Sequence, residues 1–182
     1  MKKYIFIMCL VAVIILLVIA ANRTQLGFAL RTLVSLELFP PSIVEVGDNM
    51  VDTKLFDIDG NKIYLSDYLS NKFLLLNFYS SGCEHCRRAW PELKEISEIY
   101  PDNLTIISVN IDLKASWEKA RAEQQMPWVF VRDPKSHAGI AGKYGNDGRV
   151  PYWVIISPEG KVVAKWFNTD GPVKKRVSEN VK

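Results

Sequence analysis

Two cysteines three positions apart, Cys83 and Cys86, are the residues of this chain best suited to chemistry. Such a pair can close into a disulfide and reopen, and it can also offer two thiolates to a metal. What surrounds it favours the first use. Upstream runs Phe73-Leu74-Leu75-Leu76-Asn77-Phe78-Tyr79, an apolar segment long enough for one buried strand. Ser80-Ser81-Gly82 makes a short turn. Downstream, from Arg87 to Tyr100, the residues Trp90, Leu93, Ile96, Ile99 and Tyr100 recur at the spacings of one helix face. The pair therefore stands where a strand hands over to a helix. There the first backbone N–H groups lack partners and the helix dipole is positive, so Cys83 is favoured as the thiolate, which lowers its pKa and activates it.

Two other uses of the pair compete with this one. Structural zinc needs four ligands, and the third and last cysteine, Cys9, lies inside the apolar N-terminus. The two histidines, His85 and His137, could complete a Cys2His2 set, but no second pair at ligand spacing exists. An inert structural disulfide is the other alternative. A redox-active pair accounts best for the strand-to-helix placement.

The N-terminus bears on compartment. Lys2-Lys3 precedes an uncharged, largely apolar run from Tyr4 to Asn22, which ends before Arg23. As a helix it would reach roughly 28 Å, close to the ~30 Å hydrocarbon core of a bilayer. The lysines at its head predict an N-terminus inside and the remainder exported. A cleavable signal peptide competes, because Val18-Ile19-Ala20 offers small residues before Ala21, but the run exceeds the usual length of such a region. No small residues precede Cys9 in a lipoprotein-like context, and it reads as a membrane-buried thiol. Either way the cysteine pair lies outside the cytosol, where disulfides persist.

This gives residues 1–22 as a signal anchor or transmembrane helix and residues 23–42 as a juxtamembrane spacer or helix, stopping at Pro40-Pro41. Residues 43–182 are left for one domain with a substantial core. A net charge of +3, spread along the chain, gives no basic stripe for nucleic acid. Within the domain, Asp59-Gly60-Asn61 separates Thr53–Phe56 from Lys62–Leu65 as a hairpin. Thr105–Asn110 reads as a second buried strand, Ala115–Gln125 as a helix, Trp128–Val131 as a short strand and Ser136–Tyr144 as another helix. Tyr152–Ile156 and Val162–Trp166 flank Ser157-Pro158-Glu159-Gly160 in a closing hairpin. Strands alternating with helices and ending in a hairpin predict a mixed α/β sheet flanked by helices.

That order, with the cysteine pair heading the first long helix and Val150-Pro151 before the late hairpin, resembles the thioredoxin superfamily. More narrowly it resembles the membrane-anchored TlpA/ResA-type thiol-disulfide oxidoreductases, within the redoxin, AhpC/TSA-related group. The matching pieces run from Val46-Gly47-Asp48 through Asp57-Ile58-Asp59-Gly60, Leu65-Ser66-Asp67-Tyr68, Leu76-Asn77-Phe78-Tyr79, Cys83/Cys86, Pro91 and Tyr144-Gly145 to Val150-Pro151 and Ser157–Gly160. The resemblance implies a thioredoxin-like fold, a cis proline at Pro151 beside the disulfide, and a residue, Val150, that offers backbone groups to an extended substrate. It implies no cofactor beyond the Cys83–Cys86 disulfide, protein thiols or disulfides as substrates, and a membrane or extracytoplasmic electron partner. Pro91, within a periodic segment, is expected to kink the helix without stopping it.

Cys83, at the exposed helix start, is expected to attack, and Cys86, one turn further in, to resolve the mixed disulfide. The neighbours pull in different directions. His85 between the cysteines can stabilise the thiolate and make the disulfide more oxidising. Glu84 opposes this, or simply suits the helix dipole, and Arg87 and Arg88 add positive charge or form plain helix surface. Asn77 stands where thioredoxin has a buried aspartate, and an amide cannot ionise to shuttle a proton. Apocytochrome reductases of the ResA type carry an acid three residues after the second cysteine, where this chain has Ala89. That weakens a carry-over of cytochrome c maturation, and Trp90, read as core, does not replace the acid. Two alternatives share the fold. A thiol peroxidase would want a proline where Leu76 stands, and a copper-delivery module using Cys83, Cys86 and His137 usually spaces its cysteines by three residues.

Overall fold

The computed structural model describes residues 43–121, 126–167 and 170–182, together with Val11 and Ile14. Apart from those two, the predicted membrane run and spacer lie outside the described residues. Among the described residues no helix is long and apolar enough to cross a membrane.

The apolar run before the cysteines forms β3 (Phe73–Tyr79), buried at every position after Phe73. It is preceded by β1 (Leu55–Asp57), β2 (Lys62–Ile63) and a single 3-10 turn at Leu65–Tyr68. The sheet continues with β4 (Leu104–Asn110), β5 (Val129–Arg132), β6 (Tyr152–Ile156) and β7 (Val162–Phe167). Its order is β2-β1-β5-β4-β3-β6-β7. The pairs β3–β4 and β4–β5 are parallel, while β6 joins β3 antiparallel and closes the sheet with β7. Core clusters cover both faces of β3, which is why it reads as an apolar run interrupted only at Asn77.

Alternation along β3 divides the core. Leu74, Leu76 and Phe78 pack with Ile107, Val109, Tyr144, Tyr152 and Val154 on one face. Leu75 packs with Leu93, Ile96, Trp153, Ile155, Val173 and Val177 on the other. The second face is covered by α1 (Glu84–Ile99) and α4 (Val173–Asn180). Glu92 of α1 accepts the Lys174 backbone N–H at 2.7 Å, and Glu95 pairs with the Lys174 ammonium at 3.0 Å, fastening the start of α4. Between them in sequence lie α2 (Lys114–Arg121) and α3 (Ile140–Lys143).

Two expectations are corrected. Ile99, placed on the buried stripe from spacing, is 51% exposed. It lies six residues beyond Leu93, about 120° around the helix, whereas Tyr100, seven beyond, stays near the stripe. The helix expected over Ser136–Tyr144 is two pieces, a 3-10 turn at Ser136–Ala138 and α3, parted at Gly139. Buried Asp133 causes the break: its carboxylate accepts the Ile140 N–H at 2.6 Å and the Lys135 N–H at 2.8 Å, and a Cβ on Gly139 would collide with it. The helix α4 was not anticipated at all. In contrast, α1 runs through the exposed Pro91 without stopping there.

The segment that enters the domain is fixed along β7. Gly47 N–H donates to Val162 O at 2.8 Å, Val162 N–H to Asp48 O at 3.0 Å, and Met50 N–H to Gly160 O at 2.8 Å. Lys165 reaches Val44 O at 2.7 Å and the Glu45 carboxylate at 2.7 Å. These contacts occupy backbone groups that an edge strand would otherwise expose.

Candidate active site

Cys83 is the N-cap of α1, with extended backbone, and its Sγ accepts the Cys86 N–H at 3.1 Å. That contact directs one of the helix's unpaired donors at the sulfur. The two cysteines are joined as a disulfide with their Cα atoms 5.3 Å apart. They differ in access: Cys83 is half-buried, and Cys86 is 1% exposed. Around Cys86 stand Tyr79, Trp117 and Phe130, with Trp90, Met126, Trp128 and Val150 against them. The rings meet edge-on, Tyr79 with Phe130 at 5.9 Å and Trp90 with Phe130 at 6.3 Å, while Trp128 stacks on Phe130 at 5.9 Å. An apolar wall thus backs the inner sulfur, and the outer one faces the surface.

The Val150–Pro151 peptide is cis, and the Val150 carbonyl oxygen lies 3.6 Å from Cys83 Sγ. Beside it, the Arg149 guanidinium lies over the Phe167 ring at 4.2 Å and binds Asp147 at 2.9 Å. The hydrogen bond from Arg149 holds the Asp147 carboxyl below the usual range.

The charged residues near the pair are mostly turned to each other. Glu84 binds Arg88 at 2.6 Å, an exposed i,i+4 pair. Arg87 Nη1 donates to Ser81 O at 3.1 Å, and His85 is exposed. Asn77 is fully buried, on the same face of β3 as Tyr79. Its Nδ2 donates to Ser108 Oγ at 3.2 Å, which also accepts Trp128 Nε1–H at 2.9 Å, while Asn77 Oδ1 has no partner. Ala89 and Trp90 face inward as core. The His137 side chain lies outside the described residues. Among those residues, no group of three or more His, Cys, Asp or Glu is placed to hold a metal.

Sequence reasoning missed the residues that hold the turn before Cys83. Asp112 Oδ2 accepts the Ser81 N–H at 2.7 Å and Asn110 Nδ2–H at 3.1 Å, and Asn110 Nδ2 also reaches Ser81 Oγ at 3.3 Å. A signal existed: Asn110 and Asp112 are polar residues at the carboxyl end of a parallel strand, where α/β sheets build their sites.

Comparisons with known proteins agree with this geometry. The AhpC/TSA family matches residues 46–165. The thiol-disulfide oxidoreductase ResA of Geobacillus thermodenitrificans is 31% identical over 121 residues, 65% of this chain and 67% of that protein. The thioredoxin-like protein YneN of Bacillus subtilis is 30% identical over 76 residues, 42% of this chain and 44% of its own. Among solved structures, the thioredoxin domain of a thiol-disulfide oxidoreductase from Bacteroides vulgatus superposes with a TM-score of 0.63 at 27% identity, covering 75% of this chain and 97% of that one. A thiol:disulfide interchange protein from Bacteroides sp. gives the same score and identity, covering 75% and 90%. A half-exposed sulfur capping a helix, a buried one behind it and this kinship converge: the chain belongs to the AhpC/TSA family as a thioredoxin-like thiol-disulfide oxidoreductase homologous to ResA.

Proposed function

We propose that the chain exchanges disulfides with protein substrates outside the cytoplasm, with Cys83 as nucleophile and Cys86 as resolving thiol. The observation that carries this is the unequal access of the two sulfurs at one helix start, Cys83 reachable and receiving the Cys86 N–H, Cys86 enclosed. In the reducing direction the Cys83 thiolate attacks one sulfur of a substrate disulfide. A Cys83–substrate bond forms, the substrate bond breaks, and the departing sulfur takes a proton. Cys86, deprotonated, then attacks the Cys83 sulfur and releases the second substrate thiol. The substrate gains two electrons, and the Cys83–Cys86 disulfide holds the oxidised state. Val150 and Pro151 form the substrate-binding edge, since the Val150 carbonyl lies beside Cys83 and would accept an N–H from an extended chain. Glu84, His85 and Asn77 tune the pair.

Lys2-Lys3 and the apolar run to Asn22 support residues 1–22 as a membrane anchor that places the domain of residues 43–182 on the outer side, with residues 23–42 as spacer. A membrane or extracytoplasmic electron partner would reset the pair.

Cys83→Ala is expected to abolish thiol-disulfide exchange, and Cys86→Ala to accumulate mixed disulfides at Cys83, visible on non-reducing gels and by mass. Wild-type exchange rates after Cys83→Ala would overturn the assignment. The reduction potential fixes the direction: about −270 mV marks a reductase and about −120 mV a disulfide donor.

A further inference from the structure

Ser81, two residues before Cys83, has all three of its polar groups engaged. Its N–H donates to Asp112 Oδ2 at 2.7 Å, its Oγ accepts Asn110 Nδ2–H at 3.3 Å, and its carbonyl accepts Arg87 Nη1–H at 3.1 Å. Asn110 is fully buried, and it grips Asp112 twice: Nδ2–H to Oδ2 at 3.1 Å, and the Asp112 N–H to Oδ1 at 2.9 Å. The Ile111 N–H adds a bond to Tyr79 O at 3.0 Å, and Cys83 N–H donates to Ser80 O at 3.1 Å. The whole turn from Tyr79 to Cys83 is thereby tied to the end of β4. A side chain chosen only to accept one backbone N–H need not be ionised, yet here a carboxylate is oriented by two donors beside the turn that presents the outer sulfur.

We infer that Asp112, oriented by Asn110, is a positioning residue that restrains the Ser81–Cys83 turn and places a negative charge that biases the Cys83–Cys86 couple toward its disulfide. The inference rests on the reading of Cys83 as the exchanging thiol. A negative charge near Cys83 disfavours the thiolate, and a destabilised reduced form makes a weaker oxidant. Other charged groups also stand near Cys83. Glu84 is paired with Arg88, Arg87 is bound to Ser81, His85 is exposed, and Arg149 next to Val150 is taken up by Asp147.

Asp112→Asn and Asp112→Ser keep an oxygen acceptor and remove the charge, while Asp112→Glu keeps the charge. Two readouts apply to the 182-residue protein: the pH midpoint of Cys83 alkylation in the reduced form, followed by mass at the Cys83 peptide, and equilibrium with glutathione. In the latter, protein disulfide and two glutathiones give protein dithiol and one glutathione disulfide. Both neutral variants are expected to shift the alkylation midpoint to lower pH. Above that midpoint they should favour the dithiol about fivefold more, equal to about 20 mV for a two-electron couple. Asp112→Glu should return toward wild type. Unmoved midpoints and equilibria in the neutral variants, or a glutamate variant that behaves like them, would overturn the inference. Loss of fold in both neutral variants would reduce the clamp to structure alone and equally overturn it. A wild-type disulfide that glutathione does not reduce takes down the exchange reading as well, which separates the two failures.

Discussion

Asn77 and Cys86 lie on the same side of β3, and the difference between them shows what a single buried polar group costs. Cys86, joined to Cys83, leaves no polar group unpaired among Tyr79, Trp117 and Phe130, whereas Asn77 satisfies its Nδ2 through Ser108 and leaves Oδ1 bare. An aspartate in its place would be a buried acid, and its pKa would rise in the folded state. For a raised carboxyl, stability is lost as pH climbs above the unfolded value near 4 and regained on acidification. Asn77→Asp is therefore expected to lower stability by about 1–3 kcal/mol at neutral pH, with a smaller loss at pH 5 than at pH 8. Urea unfolding at the two values checks this, and equal losses would contradict it. At this scale the sequence was informative where chemistry is written in residue type and spacing, as at the joined pair Cys83 and Cys86, whereas the cis bond at Val150-Pro151 was expected only through the family resemblance. The sequence was silent on partners fixed only by folding: nothing in the spelling Asn110-Ile111-Asp112 says that Ser81, from another strand's end, is what it holds.

Elements were legible in proportion to how strongly burial imprints a period. β3, β4 and β6 are each largely apolar because neighbours cover both faces, and each was found within a residue or so of its ends. The helix α4 escaped notice because its imprint is three valines, Val173, Val177 and Val181, among charged residues. The split at Gly139 escaped for a different reason, since periodicity from Ser136 to Tyr144 does not reveal a buried carboxylate claiming the Ile140 N–H. Asp133→Ala removes that cap and its Lys135 contact, and is expected to cost about 1–2 kcal/mol. Gly139→Ala should also destabilise, because the new methyl group meets the Asp133 side chain. Thermal unfolding of both variants tests the pair, and a Gly139→Ala protein as stable as wild type would show that Asp133 does not fix this break.

The strand order of the whole molecule, with β5 between β1 and β4, follows from crossovers that no local pattern encodes, and it was reachable only through family resemblance. Two tyrosines on the face opposite α1 bind this architecture to pH. Tyr152 donates to Tyr144 O at 2.7 Å, and burial pushes its phenol up to about 12. Tyr144, whose phenol oxygen accepts the Val51 N–H at 3.0 Å, is raised further by burial. A phenol whose folded pKa lies above its unfolded value of about 10 contributes fully below that value and loses its contribution as pH rises beyond it. Stability is thus expected to fall from about pH 10 upward, steeply in wild type and less so in Tyr152→Phe, as denaturant midpoints across pH 8–12 will report; parallel curves would refute it. The fastening of residues 44–50 along β7 has a mechanical corollary. Val162 pairs with Ile156, and Ile156 with Leu74, so the entering chain is sewn on toward the Leu74 end of β3, opposite the turn that carries Cys83. Tension applied from upstream would load those stitches first and leave the working end of the sheet slack, like a tool gripped by its handle.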